Sequence, residues 1–347
     1  MKQKKMNWKE MSIGLCLVAL LAWFTFHVLL GSHSVQTLGS TFMRADIRFV
    51  ATGFACMFLF VNCEAANIRL LMRTFGKKVP YWRSLSYAFT DFYFSAITPS
   101  ATGGQPMQLY YMVRDGFGAA HSSFSLLATA AVYQMTVLVY GCVMVGANLS
   151  FVMGQGRIIR LLLVFGILVN GFCSGLILLI IFHGLLAEKT MLCIAGGLSR
   201  AGIIKNRKRA IRKVEGLIDE YSRGGAYLRQ YPLAAVRIFI HSAVQLTALY
   251  LVPYWACRAL GISASAKDFL ALQAILSLAV TAVPLPGSVG ASEGSFLVLY
   301  RTLLGAGQSF SVMLLSRGIS FYAMLCISGL ATAFLQFARR GKSASPV

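Results

Sequence analysis

The chain has 347 residues, of which 57% are hydrophobic and 12% charged, about half the charged share of a soluble domain. That balance excludes a soluble enzyme and predicts an all-α, polytopic integral membrane bundle. The net charge of +21 does not signal nucleic acid, because the Lys and Arg residues gather in short loops assigned to one membrane face.

Residues 1–10 are polar and basic, and the apolar run 11–31 is long enough to cross a bilayer of about 30 Å. It lacks the short apolar core and small-residue cleavage site of a signal peptide, so it reads as a retained helix starting in the cytoplasm. A polar outer loop (32–45) leads to a second span, 46–72, with Glu64, Asn67 and Arg69 near its inner end. The next loop is basic (Arg73, Lys77, Lys78, Arg83). Segment 84–97, apolar except for Asp91, then runs into Thr98-Pro99-Ser100-Ala101-Thr102-Gly103-Gly104-Gln105-Pro106. Residues 105–113 beyond this break are too short to span alone. Two long helices, 119–153 and 158–186, precede a basic segment, 187–231. The second half comprises a span at 232–261, an apolar limb at 269–283, a second break at Pro284–Gly294, a returning limb at 293–304 and a last helix at 308–337.

Proline removes a backbone donor and glycine costs backbone entropy, so each break should stop its helix. Facing lipid, such a break would leave polar backbone groups unpaired at several kcal/mol each; it belongs inside protein or beside water. The breaks lie about 185 residues apart, at matching places in two halves (Pro99 and Pro284). Placing the basic loops inside puts 22 of 32 Lys and Arg residues in the cytoplasm, seven outside and three within spans. With both termini cytoplasmic, hairpin 84–113 opens inward and hairpin 269–304 outward. Segments 46–153 and 232–338 become inverted repeats within one membrane domain, 1–347, whose first half is 1–186.

The first break offers hydroxyls, an amide and freed backbone groups at Thr98, Pro99, Ser100, Gly103, Gly104 and Gln105, suited to a phosphate or glycerol headgroup. A kink stabilised by its own side chains is the alternative. Tyr110 either caps that site or anchors the membrane interface. Pro286, Gly287 and Gly290 form the second break. Glu64, Asp91 and Glu293 are acids at membrane depth, where ionisable groups are costly and are functional candidates by default. Arg69 and Arg317 are their counter-ions or ligands for a lipid phosphate; a buried ion pair fixing helix register is the alternative. Gly290-Ala291-Ser292-Glu293-Gly294 matches G-x-S-x-G formally, but a predicted membrane hairpin is not the strand–turn–helix setting a nucleophile elbow needs. Eight cysteines without C-x-x-C and five scattered histidines signal neither a disulfide framework nor a metal site.

Both breaks, together with Glu64, Arg69 and Arg317, resemble the lysylphosphatidylglycerol synthase transmembrane region family, also described as a flippase-like domain. The resemblance covers essentially the whole chain. In two-domain members a soluble domain moves lysine from aminoacyl-tRNA onto phosphatidylglycerol. The membrane domain passes the product outward, reducing surface negative charge and affinity for cationic antimicrobial peptides. The expectation here is the membrane domain alone, without the phosphatidylglycerol lysyltransferase chemistry.

The sequence reading is therefore a lipid translocase in a bacterial cell membrane, acting on phosphatidylglycerol or its lysyl form. No cofactor or metal is expected, and no ATP-binding P-loop occurs. Expected partners are membrane phospholipid and a separate aminoacyl-phosphatidylglycerol synthase, with homo-oligomerisation left open. The alternatives are a membrane-embedded transferase using Asp46 or Asp268, and a scaffold for a separate synthase.

Overall fold

The computed structural model describes residues 43, 45–98, 101–154, 156–182, 230–280 and 290–340. The elements in them are α1 (Ile47–Thr74), α2 (Tyr81–Ile97), α3 (Gly104–Arg114), α4 (Ala119–Ala147), α5 (Leu149–Gly154) and α6 (Arg157–Phe182). The second half contributes α7 (Pro232–Ala259), α8 (Ala266–Val280), α9 (Ala291–Leu304), α10 (Ala306–Arg317), a π-helical turn (Gly318–Ala323) and α11 (Met324–Arg340). The expected first helix, most of the basic segment 187–231, and Pro99, Ser100, Pro286 and Gly287 lie outside the described residues.

Four stretches among the described residues are long and apolar enough to cross a membrane: Ile47–Thr74, Ala119–Ala147, Pro232–Ala259 and Ala306–Leu335. Val139 and Val143 on α4, Phe165, Leu168 and Phe172 on α6, and Leu330 and Phe334 on α11 point outward. In water such a surface would drive association, whereas in a bilayer it meets the acyl chains. This is an all-α, multi-pass membrane protein.

Local chemistry sets the helix ends. Asp46 caps α1 by accepting from the Arg48 N–H at 2.9 Å, and Pro232 opens α7 at a position where a missing N–H costs nothing. Two expected helices are interrupted. Segment 119–153 breaks at Asn148, whose side-chain amide donates to the Met144 carbonyl at 2.9 Å and competes with the backbone ladder. Segment 308–337 is interrupted by the π-turn immediately after Arg317.

The most extensive helix pair is α1 against α7, running antiparallel. The Asp46 N–H donates to the Ala259 carbonyl at 2.9 Å, tying the start of α1 to the end of α7. Met57, Val61 and Ala65 pack with Val252 in this seam. The halves interlock: α4 lies on α8, and α11 lies on α2. Glycines allow both close approaches. A Cβ added to Gly141 would overlap Leu278, and one added to Gly329 would sit 3.0 Å from the Tyr93 ring.

α2–α3 and α8–α9 form two hairpins. The Tyr87 hydroxyl donates to Asp115 Oδ2 at 2.5 Å, returning α3 to the mouth of α2. The Tyr300 hydroxyl donates to the Phe269 carbonyl at 3.4 Å, closing α8–α9 in the same way. Since α2 follows the C-terminus of α1 and α8 that of the antiparallel α7, the hairpins enter the bundle from opposite ends. Their limbs have 17, 11, 15 and 14 residues. At 1.5 Å per residue, each falls short of a hydrocarbon core of about 30 Å.

Candidate functional site

The first hairpin turns on Thr98. Its hydroxyl donates to the Phe94 carbonyl at 2.6 Å and accepts the Gly103 N–H at 2.9 Å, bridging the end of α2 to the start of α3. Ala101, at the tip, has a φ of 53°, a left-handed conformation costing an L-residue about 1 kcal/mol or more. Gly103 packs on Thr98. Gly104 packs so closely on Asp91 and Ser95 that a Cβ would collide with the Asp91 carboxylate and lie 2.8 Å from its backbone carbonyl. Asp91 therefore sits at the N-terminus of α3, where free N–H groups and the helix dipole favour an anion.

Glu64, on α1, is half-buried beside the side-chain amides of Gln108 (α3) and Gln245 (α7), within electrostatic range of Asp91. Gln108 is 1% and Gln245 3% exposed, yet Gln108 Nε2 and Gln245 Oε1 make no hydrogen bond of normal geometry. Next along α1, Asn67 Oδ1 meets Nδ1 of His241 at 2.9 Å. Tyr133 of α4 completes the wall, close enough to feel both carboxylates. The result is a polar seam inside an apolar bundle, carrying two acids and, among the described residues, no salt bridge to either.

The second hairpin is organised differently. Gly290 caps α9 with a φ of 87°, which favours glycine. Its N–H donates to Glu293 Oε2 at 2.7 Å. The other carboxylate oxygen accepts from Arg317 Nε at 2.7 Å, with side-chain exposures of 3% for Glu293 and 17% for Arg317. The Arg317 guanidinium also lies 4.6 Å from the centre of the Phe321 ring. Arg317 thus links α9 to the head of the π-turn, an irregularity that recurs at functional sites.

The sequence candidates divide accordingly. Glu64, Asp91, Thr98, Gly103 and Gly104 gather at the first hairpin, and Gly290, Glu293 and Arg317 at the second. Arg69 is brought to neither carboxylate; it is exposed, with its guanidinium 5.7 Å from the centre of the Tyr81 ring. Gln105 is exposed, while Tyr110 lies edge-on to buried Tyr111 at the far end of α3. Gln108, Gln245, His241 and Tyr133 were missed. Their signal was a polar residue inside an apolar run, visible in sequence but shared with many satisfied core residues. Gly290–Gly294 forms a helix start with no strand before it among the described residues, the wrong setting for a nucleophile elbow. Asp46 is engaged as a helix cap, and Asp268 lies in the first turn of α8.

The model of the lysylphosphatidylglycerol synthase TM region matches residues 11–328. The chain belongs to this family. It is also similar to a UPF0104 membrane protein of Archaeoglobus fulgidus, 25% identical over 311 residues, which cover 85% of this chain and 89% of that protein. Both hairpins, the central α1–α7 pair and Arg317 fall inside the matched region.

Proposed function

We propose that this chain is a lipid translocase, passing a phosphatidylglycerol-type or lysyl-phosphatidylglycerol headgroup between two hairpins that gate opposite membrane faces. The observation that carries this reading is the pair of broken-helix hairpins entering from opposite ends around buried charge, an arrangement shared with alternating-access transporters. Arg317 is the phosphate ligand. In the resting state Glu293 holds it, and an arriving headgroup phosphate exchanges for that carboxylate while Phe321 keeps the guanidinium in place. Thr98 and the N-terminus of α3 receive the polar headgroup from the other side.

Arg73, Lys77, Lys78, Arg83 and Arg114 collect at the mouth of the first hairpin, which supports a cytoplasmic face there. The same reading takes both termini as cytoplasmic and the protein as residing in the cell membrane. A separate synthase supplying the aminoacylated lipid is the matching partner, and resistance to cationic antimicrobial peptides is the matching phenotype.

The test is a leaflet assay in proteoliposomes loaded with fluorescent phosphatidylglycerol or its lysyl form. Wild type should equilibrate lipid across the bilayer, and Glu293→Gln and Arg317→Gln should not. Wild-type vesicles indistinguishable from protein-free ones, for these and a wider lipid panel, would sink the proposal and favour a scaffold.

A further inference from the structure

The seam at the first hairpin contains more negative charge than the lipid step requires. Glu64 on α1 and Asp91 on α2 lie within electrostatic range of one another, and neither forms a salt bridge among the described residues. The dipole of α3 offsets about half a charge at Asp91, while Glu64 has amide neighbours but, among the described residues, no counter-ion. Two like charges this close in a desolvated site do not both persist without a counter-charge. The surroundings suit a cation. Gln245 is 3% exposed, its amide reaches Glu64, and its Oε1 accepts no hydrogen bond; Gln108, 1% exposed, brings a second amide to the same carboxylate. Turning the Gln108 amide over, which costs little sterically, presents its oxygen to Glu64 in place of its N–H.

We infer that Glu64, Asp91, Gln108 and Gln245 form a buried site for one inorganic monovalent cation, a sodium ion or a proton. Four oxygen-bearing side chains from four helices converge there, two of them anionic, which suits a hard, singly charged ion. α1, α2, α3 and α7 meet at this point, so occupancy sets how tightly the first hairpin closes against the central pair. Coupling lipid movement to an ion gradient through that closure rests on the translocase reading; the binding itself does not. The other titratable groups facing the seam are Cys63 of α1, Tyr133 of α4, and Tyr250 and His241 of α7. α2 itself also carries Tyr87 and Tyr93; α3 carries Tyr110, Tyr111 and, at its outer end, Arg114; and α11, which packs on α2, carries Cys326, which is exposed.

The experiment uses the full chain in a zwitterionic detergent free of added lipid. The thermal midpoint is followed as sodium chloride replaces N-methylglucamine chloride at constant ionic strength, and separately as pH falls in sodium-free buffer. Wild type should gain stability with sodium, saturating, or with acid when the proton is the ligand. The Glu64→Gln/Asp91→Asn double variant keeps the shape and removes the charge. It should lose the response while melting no lower than ligand-free wild type, because the repulsion has gone. A response that survives in the double variant, or a wild type responding to neither ion, overturns the site. In a third titration, an ammonium-bearing lipid is added to the same sample, and stabilisation by that lipid alone also overturns the site, because the seam would then be a headgroup pocket. Since no lipid transport is measured, a failed leaflet assay and a failed ion titration remain separate results.

Discussion

Gly104→Ala separates two opposing effects at the centre of the first hairpin. Gly104 is the first residue of α3, and its backbone is not in the left-handed region that penalises side chains. On propensity alone, alanine should stabilise by at most about 1 kcal/mol, and by less at the first helical position than mid-helix. The structure argues for the opposite sign. The new Cβ would collide with the Asp91 carboxylate and the Ser95 hydroxyl, which can rotate, and would lie 2.8 Å from the Asp91 backbone carbonyl, which cannot. Ordinary C···O contacts begin at about 3.3 Å, so α2 and α3 must separate by about 0.5 Å. Overpacking of this kind costs about 1–3 kcal/mol. The net expectation is destabilisation by about 1–2 kcal/mol, a fall in thermal midpoint of about 1–3 °C for a chain of 347 residues. Thermal unfolding in detergent checks it, with Gly175→Ala on exposed α6 as the control, since a Cβ there meets nothing. A Gly104→Ala midpoint equal to or above wild type would refute the close approach that puts Asp91 at the end of α3.

The ion pair of the second hairpin gives a double-mutant cycle. Glu293→Gln should cost about 1.5–3 kcal/mol by removing the charge-assisted bond to the half-buried Arg317, and adding Arg317→Gln should then cost less than Arg317→Gln does alone; an additive pair of losses would rule out the coupling. Gly141→Val should push α4 off Leu278 and cost about 1–3 kcal/mol, read by thermal unfolding, whereas unchanged stability would place the α4–α8 contact elsewhere. Tyr87→Phe removes the bond that returns α3 to the mouth of α2, at a cost of about 1.5 kcal/mol. Amide exchange should rise across 104–114 and stay unchanged across 291–304.

The fold was legible where composition and helix breakers speak. Long apolar runs gave four spans among the described residues, and prolines and glycines bracketed the limbs of both hairpins to within a few residues. The interruption after Arg317 was not legible, because a π-turn inserts no breaker that Gly318 alone would announce. Nor was the break at Asn148, where a side chain competes with the helix in an otherwise uniform apolar run. At the sites, charge stood out, so Glu64, Asp91, Glu293 and Arg317 could be named from the sequence. Gln108 and Gln245 could not, since one neutral amide on an apolar helix reads as a packing residue until another helix brings a carboxylate to it. Arg69 shows the converse limit. It stands five residues, well over a full turn, from Glu64, so its side chain leaves on another face and meets Tyr81.

The two hairpins share a shape but not an electrostatic state, and that asymmetry bears on mechanism. Around the first, two acids share a seam with two buried amides, each with one polar atom lacking a hydrogen bond of normal geometry; around the second, acid and base already neutralise one another at 2.7 Å. A scaffold with two equivalent hairpins would favour neither direction of opening. Here a cation entering the first seam removes repulsion and tightens α1, α2, α3 and α7 together. An anion reaching the second competes with Glu293 for Arg317 and frees the capping carboxylate of α9. The first event closes its hairpin and the second loosens its own, and the shared α1–α7 pair and the interlocked contacts of α4 with α8 and α11 with α2 join them. Opposite responses to opposite charges, joined through one rigid pair, are sufficient for the two ends of the bundle to open in turn.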